Sequence, residues 1–534
     1  MSGLNAYTGI WGKTQATHLL RRTTFGAKRA DVNYLLTQTL SQAVGELLTP
    51  LATAPLPPLN NYNASYADPD VPAGQTWINA PYGTGGTANS YRRVSFKDWW
   101  ISLMLNQNRT INEKMVVFWH NHFATELADY DDARFAYKHT ALIRQYALGN
   151  FKLLAKAMTL DIAMLRYLNG YINTASSPDE NYARELQELF CIGKGTNANY
   201  TEDDVKAAAK ILTGYRINSG NYTVSPPIQP YAYFDSTRHN TTNKLFSAFY
   251  NNTTIAGQTG AAGANELDAL LNMIFNNQEC AKFICRRLYT FFVNYNITPQ
   301  VETDIITPLA QILRNSGYEI MPVLKALLKS EHFFDAANIG CQIKTPLDLT
   351  IGLCREFEVT FPAAADIPTQ YTLWDRMRTA AVALQQNIGD PPNVAGWAAF
   401  YQAPMFYDIW INSDTLPKRN QFTDLMATLG YTVNSQKIAI DPLGFTDTLS
   451  NPSDPNAIIN ELIQIMYPLG ISQASKQQIK TDILLTGQTN DTYWTTAWQN
   501  YKQNPSNATY KTLVATRLTN LYKYFMDLSE YQLM

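Results

Sequence analysis

The hydrophobic positions of this chain recur mostly at three- and four-residue spacing, which predicts helices. Thr201-Glu202-Asp203-Asp204 followed by Val205, Ala209 and Leu212 reads as an N-cap, an acidic first turn and an apolar stripe, with Gly214 as the stop. Ser177-Pro178-Asp179-Glu180 reads as a capping box with proline at the first helical position, opening NYARELQELF. Residues 264–295 read as two helices, and so do 301–334, where Gly317 breaks the first; 508–529 is a further amphipathic helix. No run of alternating positions with hairpin turns supports a sheet of any size. The expected fold is all-α: a large multi-helix globular domain with long irregular loops and little or no sheet.

Three stretches interrupt the pattern. Residues 51–95 are rich in Pro, Gly, Asn and Tyr, 217–262 in Asn and Thr, and 386–412 read QNIGDPPNVAGWAAFYQAPMFYDIWIN. Stretches this long in a compact domain are functional loops or insertions. A polar stretch at 432–457, with Asn451-Pro452 and Asp454-Pro455, divides the chain into a main helical domain, 1–431, and a C-terminal helical subdomain, 432–534, packed on it. No internal repeat is present, which disfavours a solenoid.

Candidate chemistry sits inside this frame. In EKMVVFWHNHFATE (113–126) a helix places Met115, Trp119 and His122 on one face and turns His120 about 160° away. Both rings reach one metal only if the helix ends near His120. In SPDENYARELQELF (177–190), Asn181, Glu185 and Glu188 form a stripe at the edge of the apolar face, where a carboxylate is either paired or poised for chemistry. The functional reading brings Glu185 and Glu188 against His120 or His122 across a helix contact, with His120, His122 and Glu185 as ligands of a divalent metal. The plain alternative is a set of satisfied core and capping residues. Arg22, after His18 and Arg21, and Lys244 in the polar insertion are anion-clamp candidates, with His239 and Lys344 as further cations. Trp397 and Trp410, with Phe400, Tyr401, Phe406 and Tyr407, offer platforms for sugar rings or apolar ligands, or else pin a long loop to the core.

Composition narrows the class. Lys+Arg is 42 and Asp+Glu 44, a net charge of −2, which argues against a general nucleic-acid binder. Only 16% of residues are charged, against about 25% in an average soluble protein, and Asn, Thr, Gln and 32 tyrosines take their place. Uncharged polar surface of that kind points to a periplasmic or extracellular setting, with the cytoplasm as the alternative. Residues 1–22 lack the basic and apolar regions of an export leader, and no stretch approaches the ~20 apolar residues of a membrane span. Five cysteines without a CxxC pair read as buried thiols rather than a zinc site. There is no HExxH, GxSxG, Walker A or dinucleotide fingerprint, and Gly193-Lys194-Gly195-Thr196 lacks the upstream glycine of a phosphate loop.

Eight segments recur in this order in one bacterial family: HLLRRTTFG (18–26), EKMVVFWHNHFAT (113–125), SPDENYARELQELFCIG (177–193), YTEDDVKAAAKILTGYR (200–216), IKTPLDL (343–349), PPNVAGW (391–397), WINSDTLPKRN (410–420) and LSEYQLM (528–534). The chain resembles that uncharacterised family, catalogued as domain of unknown function 1800, over nearly its whole length. The resemblance implies an all-helical protein with no activity or catalytic residues to carry over. It also implies a genomic neighbour resembling sulfatases and alkaline phosphatases, and an export signal that this sequence does not display. The function expected is a non-catalytic partner or scaffold of an exported or cell-surface complex, binding that neighbour or a glycan. The alternative is a hydrolase or transferase with a His/Glu site, metal-assisted or not, acting on an anionic or glycan substrate.

Overall fold

Helices dominate the computed structural model, which describes residues 3–195, 197–363, 366–397 and 408–534. The helices that carry the argument are α1 (Lys13–Thr23), α2 (Thr87–Asn106), α3 (Asn112–His122), α4 (Ala133–Tyr146), α5 (Ile162–Tyr167), α6 (Asn181–Glu185), α7 (Gln278–Phe292) and α8 (Pro346–Glu356). Strands among the described residues form three two-stranded antiparallel sheets. The longest pairs β1 (Tyr215–Asn218) with β2 (Tyr231–Phe234), Tyr215 opposite Phe234. The other two join Lys244–Leu245 to Thr254–Ile255 and Tyr431–Val433 to Gln436–Ile438. The protein is mainly α.

The centre of the molecule is a helix with no solvent face. All residues of α3 are buried, because the run Met115-Val-Val-Phe-Trp119 covers every side of one turn. Its polar residues must therefore find partners inside. Glu113 accepts from Arg144 on α4 (Nε 2.6 Å, Nη2 3.0 Å) and from Trp100 Nε1 on α2 (3.1 Å). Lys114 pairs with Asp348 on α8 and lies 4.7 Å from the Phe25 ring centroid. These pairs fix the crossing of α2, α4 and α8 over α3.

α8 is buried along its whole length as well. Thr345 caps it, with its hydroxyl 3.1 Å from Asp348 N, and Pro346 occupies the first turn. At its other end Arg355 donates to the carbonyls of Leu105 and Gln107 (2.9 Å each), capping the C-terminal end of α2. Gly26 (φ +77°) lets the chain after α1 cross α8 in backbone contact, since a Cβ there would stand 2.7 Å from Gly352 O.

The residues beyond 431 share this core. Tyr522 packs against Phe357 (5.7 Å), Arg419 donates to Gln532 (2.7 Å), and Lys344 N donates to Gln532 O (2.8 Å). One apolar cluster runs from Ala16 to Tyr531. Among the described residues no helix is long and apolar enough to cross a membrane.

Most expected elements form. Thr201 and Asp204 make a reciprocal capping box, residues 266–276 and 278–292 are separate helices, and Gly317 (φ +69°) ends the helix before it. One start is displaced. Helix α6 begins at Asn181, because the Asp179 carboxylate accepts from Asn181 N (2.8 Å), and the expected Ser177–Glu180 box does not form.

Candidate functional site

The three residues His120-Asn121-His122 end α3 and point in three directions, as a pitch of about 100° per residue requires. His122 enters an aromatic shell that includes Phe118, Phe151, Phe190 and Phe283, and its Nε2 lies 2.9 Å from Phe190 O. Phe190 belongs to the π-helical turn Leu186–Cys191 that continues α6. Its carbonyl is one of the unpaired groups of a helix end, and the imidazole satisfies it. Burial first, then the Arg287 charge, holds His122 well below the ordinary histidine range.

Asn121 docks a loop. Its Oδ1 accepts from Trp397 N at 2.8 Å. Gly396 (φ +89°) makes the approach possible, since a Cβ there would stand 2.2 Å from Asn121 Oδ1. The anchored Trp397 ring lies against His120, centroids 5.7 Å apart. The same loop is tied further back: Asp390 pairs with Lys97 of α2 and accepts from Ala128 N (2.8 Å).

His120 is the exception on α3. It is 2% exposed, yet neither ring nitrogen has a partner among the described residues. Trp100 and Trp397 pack on it, and His139 of α4 faces it at 6.2 Å between ring centroids. His139 is held from behind by Asp161, the N-cap of α5: Nδ1 lies 2.9 Å from Oδ2, which also accepts from Met164 N (2.9 Å). A carboxylate only accepts, so Nδ1 carries the proton and Nε2 presents its lone pair. That Nε2 is buried without a partner among the described residues, as is Trp397 Nε1. Burial above all, then His139 once it is protonated at low pH, and the Lys97 charge push His120 down to about 3, so it is neutral at physiological pH. Tyr130, raised by burial and then by Asp390 and Asp161, lies in the same electrostatic neighbourhood.

The expected grouping of His120 and His122 with Glu185 and Glu188 does not assemble. Among the described residues neither glutamate makes an ion pair with an imidazole, because the π turn presents the Phe190 carbonyl to His122 instead. Glu188 pairs with Lys194 (2.9 Å). Among the described residues no three His, Cys, Asp or Glu side chains converge as metal ligands would, so the triad His120, His122 and Glu185 is withdrawn as a geometry. Lys244 is no free clamp: it is buried, and its charge is spent on Glu266, which also holds His239 (3.1 Å). Arg22 is 1% exposed, donates to Asn338 O (3.0 Å), contacts Cys341 Sγ (3.3 Å) and leaves Nε and Nη1 without a partner among the described residues. Lys344 lies 3.7 Å from the Tyr531 ring centroid and is pushed down to about 7 by burial. Trp397 and Trp410 are both buried and neither is an exposed platform; Phe400, Tyr401, Phe406 and Tyr407 lie outside the described residues.

The parts packed around the end of α3 come from widely separated motifs: the α3 segment, the PPNVAGW loop and the turn after α6. The family model described as a protein of unknown function, DUF1800, matches residues 18–533. The chain belongs to that family. No curated protein and no solved structure matches it.

In this DUF1800 chain the sequence reading missed His139 and Asp161. Two signals were present: Asp161 stands directly before the apolar run IAML as an N-cap would, and His139 is one of only six histidines.

Glu185 keeps a property of its own. It is half-buried without a partner among the described residues, and burial, then Glu188, pushes it up to about 7. A carboxyl raised from 4.5 to about 7 on folding favours the fold when protonated. Its contribution is complete below the unfolded value and is lost as pH rises through the folded one. E185Q is expected to raise the melting temperature at about pH 8 and leave it unchanged near pH 4. Melts at the two pH values check this, and an unchanged value at the higher pH contradicts it.

Proposed function

We propose that this DUF1800 chain is an enzyme of hydrolytic or group-transfer type, with His139, Asp161 and His120 as its acid–base centre. The observation that carries the reading is the pair of facing imidazoles: three of their four ring nitrogens are buried without a partner among the described residues. Each such group costs about 1–3 kcal/mol if left unpaired, and groups held at that cost concentrate at working sites. Asp161 orients His139 so that Nε2 takes a proton from a water or a substrate hydroxyl. Neutral His120 offers an N–H to the oxygen on which charge develops. No metal is needed for these roles.

The test is a panel of nitrophenyl esters, phosphates, sulfates and glycosides given to the purified chain and to H139Q. Turnover of one class that falls by about 10²-fold or more in a folded H139Q supports the reading. No turnover on any class, or equal turnover in H139Q, overturns it.

A partner or scaffold role is the second reading, and one observation favours it. His120 and His139 are only 2% and 1% exposed, as members of a buried network that fixes helix positions would be. Under that reading H139Q lowers the melting temperature without touching any turnover. The chain would also co-purify with a sulfatase- or phosphatase-like neighbour after co-expression, and failure to do so counts against it.

A further inference from the structure

On the other side of α3, a cavity of 460 Å³ opens between residues 192–195 and 197–198, α7 and residues 297–302. That is within the range of small-molecule sites, roughly 300–1,000 Å³. Ile192, Phe283, Ile297 and Pro299 give it apolar walls. Gly193 (φ +90°) lays its backbone on the Phe283 ring, where a Cβ would stand 2.7 Å from Cδ2.

Three cations line the cavity, and two are committed. Arg286 donates to Glu302 through Nε (2.9 Å) and Nη2 (2.7 Å) and pairs with Glu279 as well. Lys194 pairs with Glu188. Arg287 is different. It lines the cavity half-buried, and its side chain has no hydrogen bond or ion pair among the described residues. Burial pushes it down to about 10 with no carboxylate to hold it up. A planar guanidinium with five donors, partly desolvated beside an apolar wall, is matched by a carboxylate or phosphate oxygen pair.

We propose that this cavity binds a small anion, a carboxylate or phosphate carried on an apolar ring-sized body, with Arg287 as its bidentate clamp and Phe283 as its floor. The site is separate from the His120–His139 centre: Phe283 lies against His122, 6.0 Å between ring centroids, and His122 turns away from His120. The proposal therefore stands whether or not the chain is an enzyme.

The experiment titrates the purified full chain with benzoate, phenyl phosphate and, as a cationic control, benzylamine, followed by NMR. Saturable binding of either anion in the millimolar range or tighter, weakened about tenfold or more in R287Q and partly kept in R287K, supports the site. Which anion binds separates carboxylate from phosphate ligands. Arginine modification by phenylglyoxal, read by mass spectrometry on the unaltered chain, keeps the test open if R287Q does not fold: Arg287 should react, and the bound anion should protect it. Binding of neither anion, equal binding in folded R287Q, equal binding of benzylamine, or no protection of Arg287 would overturn the proposal.

Discussion

Replacing Lys114 by Met is expected to destabilise the fold by about 3–5 kcal/mol, because it leaves a buried carboxylate without its counter-charge. Lys114 and Asp348 are 2% and 4% exposed, at the crossing of α3 and α8. Asp348 also accepts from Thr345 Oγ1 (2.8 Å), which is too weak a partner to neutralise it. Burial lowers the proton affinity of Lys114 and the Asp348 charge partly restores it, so each group depends on the other. Arg22, Lys344 and Arg419 also feel the Asp348 charge, which places the loss toward the lower end of the range. The double variant K114M/D348L removes both charges and is expected to recover most of the stability, to within about 1–2 kcal/mol of the parent. Denaturant melts of the three proteins check this. A single K114M loss under about 1 kcal/mol would mean that the pair does not hold the crossing.

The second large effect is on turnover. D161N is expected to lower it by about 10²–10⁴-fold while the fold survives. Asparagine is as good an N-cap as aspartate, so the bond from Met164 N and the start of α5 are kept. What changes is the charge. Oδ2 serves both contacts, so an amide oxygen in its place keeps the bond from Met164 N and still accepts from His139 Nδ1, but it carries no charge to stabilise the imidazolium formed when Nε2 takes a proton. The readout is kcat on the substrate class found by the panel, beside a thermal melt. Turnover within about tenfold of the parent in a folded D161N would remove Asp161 from the centre.

The fold was readable where local rules agree with packing. The Thr201 capping box, the Gly317 break and the paired helices of 264–295 each combine a cap or stop residue with a helical stripe. The opposed directions of His120 and His122 followed from helical pitch alone. The site itself was only partly readable. His139 and Asp161 stand 22 residues apart on separate helices, so no spacing rule joins them; the packing of α4 against α5 does. Glu185 misses the imidazoles because Leu186–Cys191 winds as a π turn, which no residue in ELQELFC announces. From its Pro/Gly-rich surroundings Trp397 is either a ligand platform or a ring that pins the loop to the core. Gly396 admits the backbone to Asn121 and carries the ring into the core, a contact 276 residues apart in the chain.

The most direct measurement of the acid–base claim is the protonation of the two facing imidazoles. Histidine ¹⁵N spectra of the labelled chain, assigned with H120Q and H139Q, read tautomer and charge for each ring. The expected result is a His139 with its proton on Nδ1 at neutral pH and a His120 that stays neutral from about pH 8 down to pH 5. A His120 that titrates near 6.5, or a His139 protonated on Nε2 alone, would contradict it.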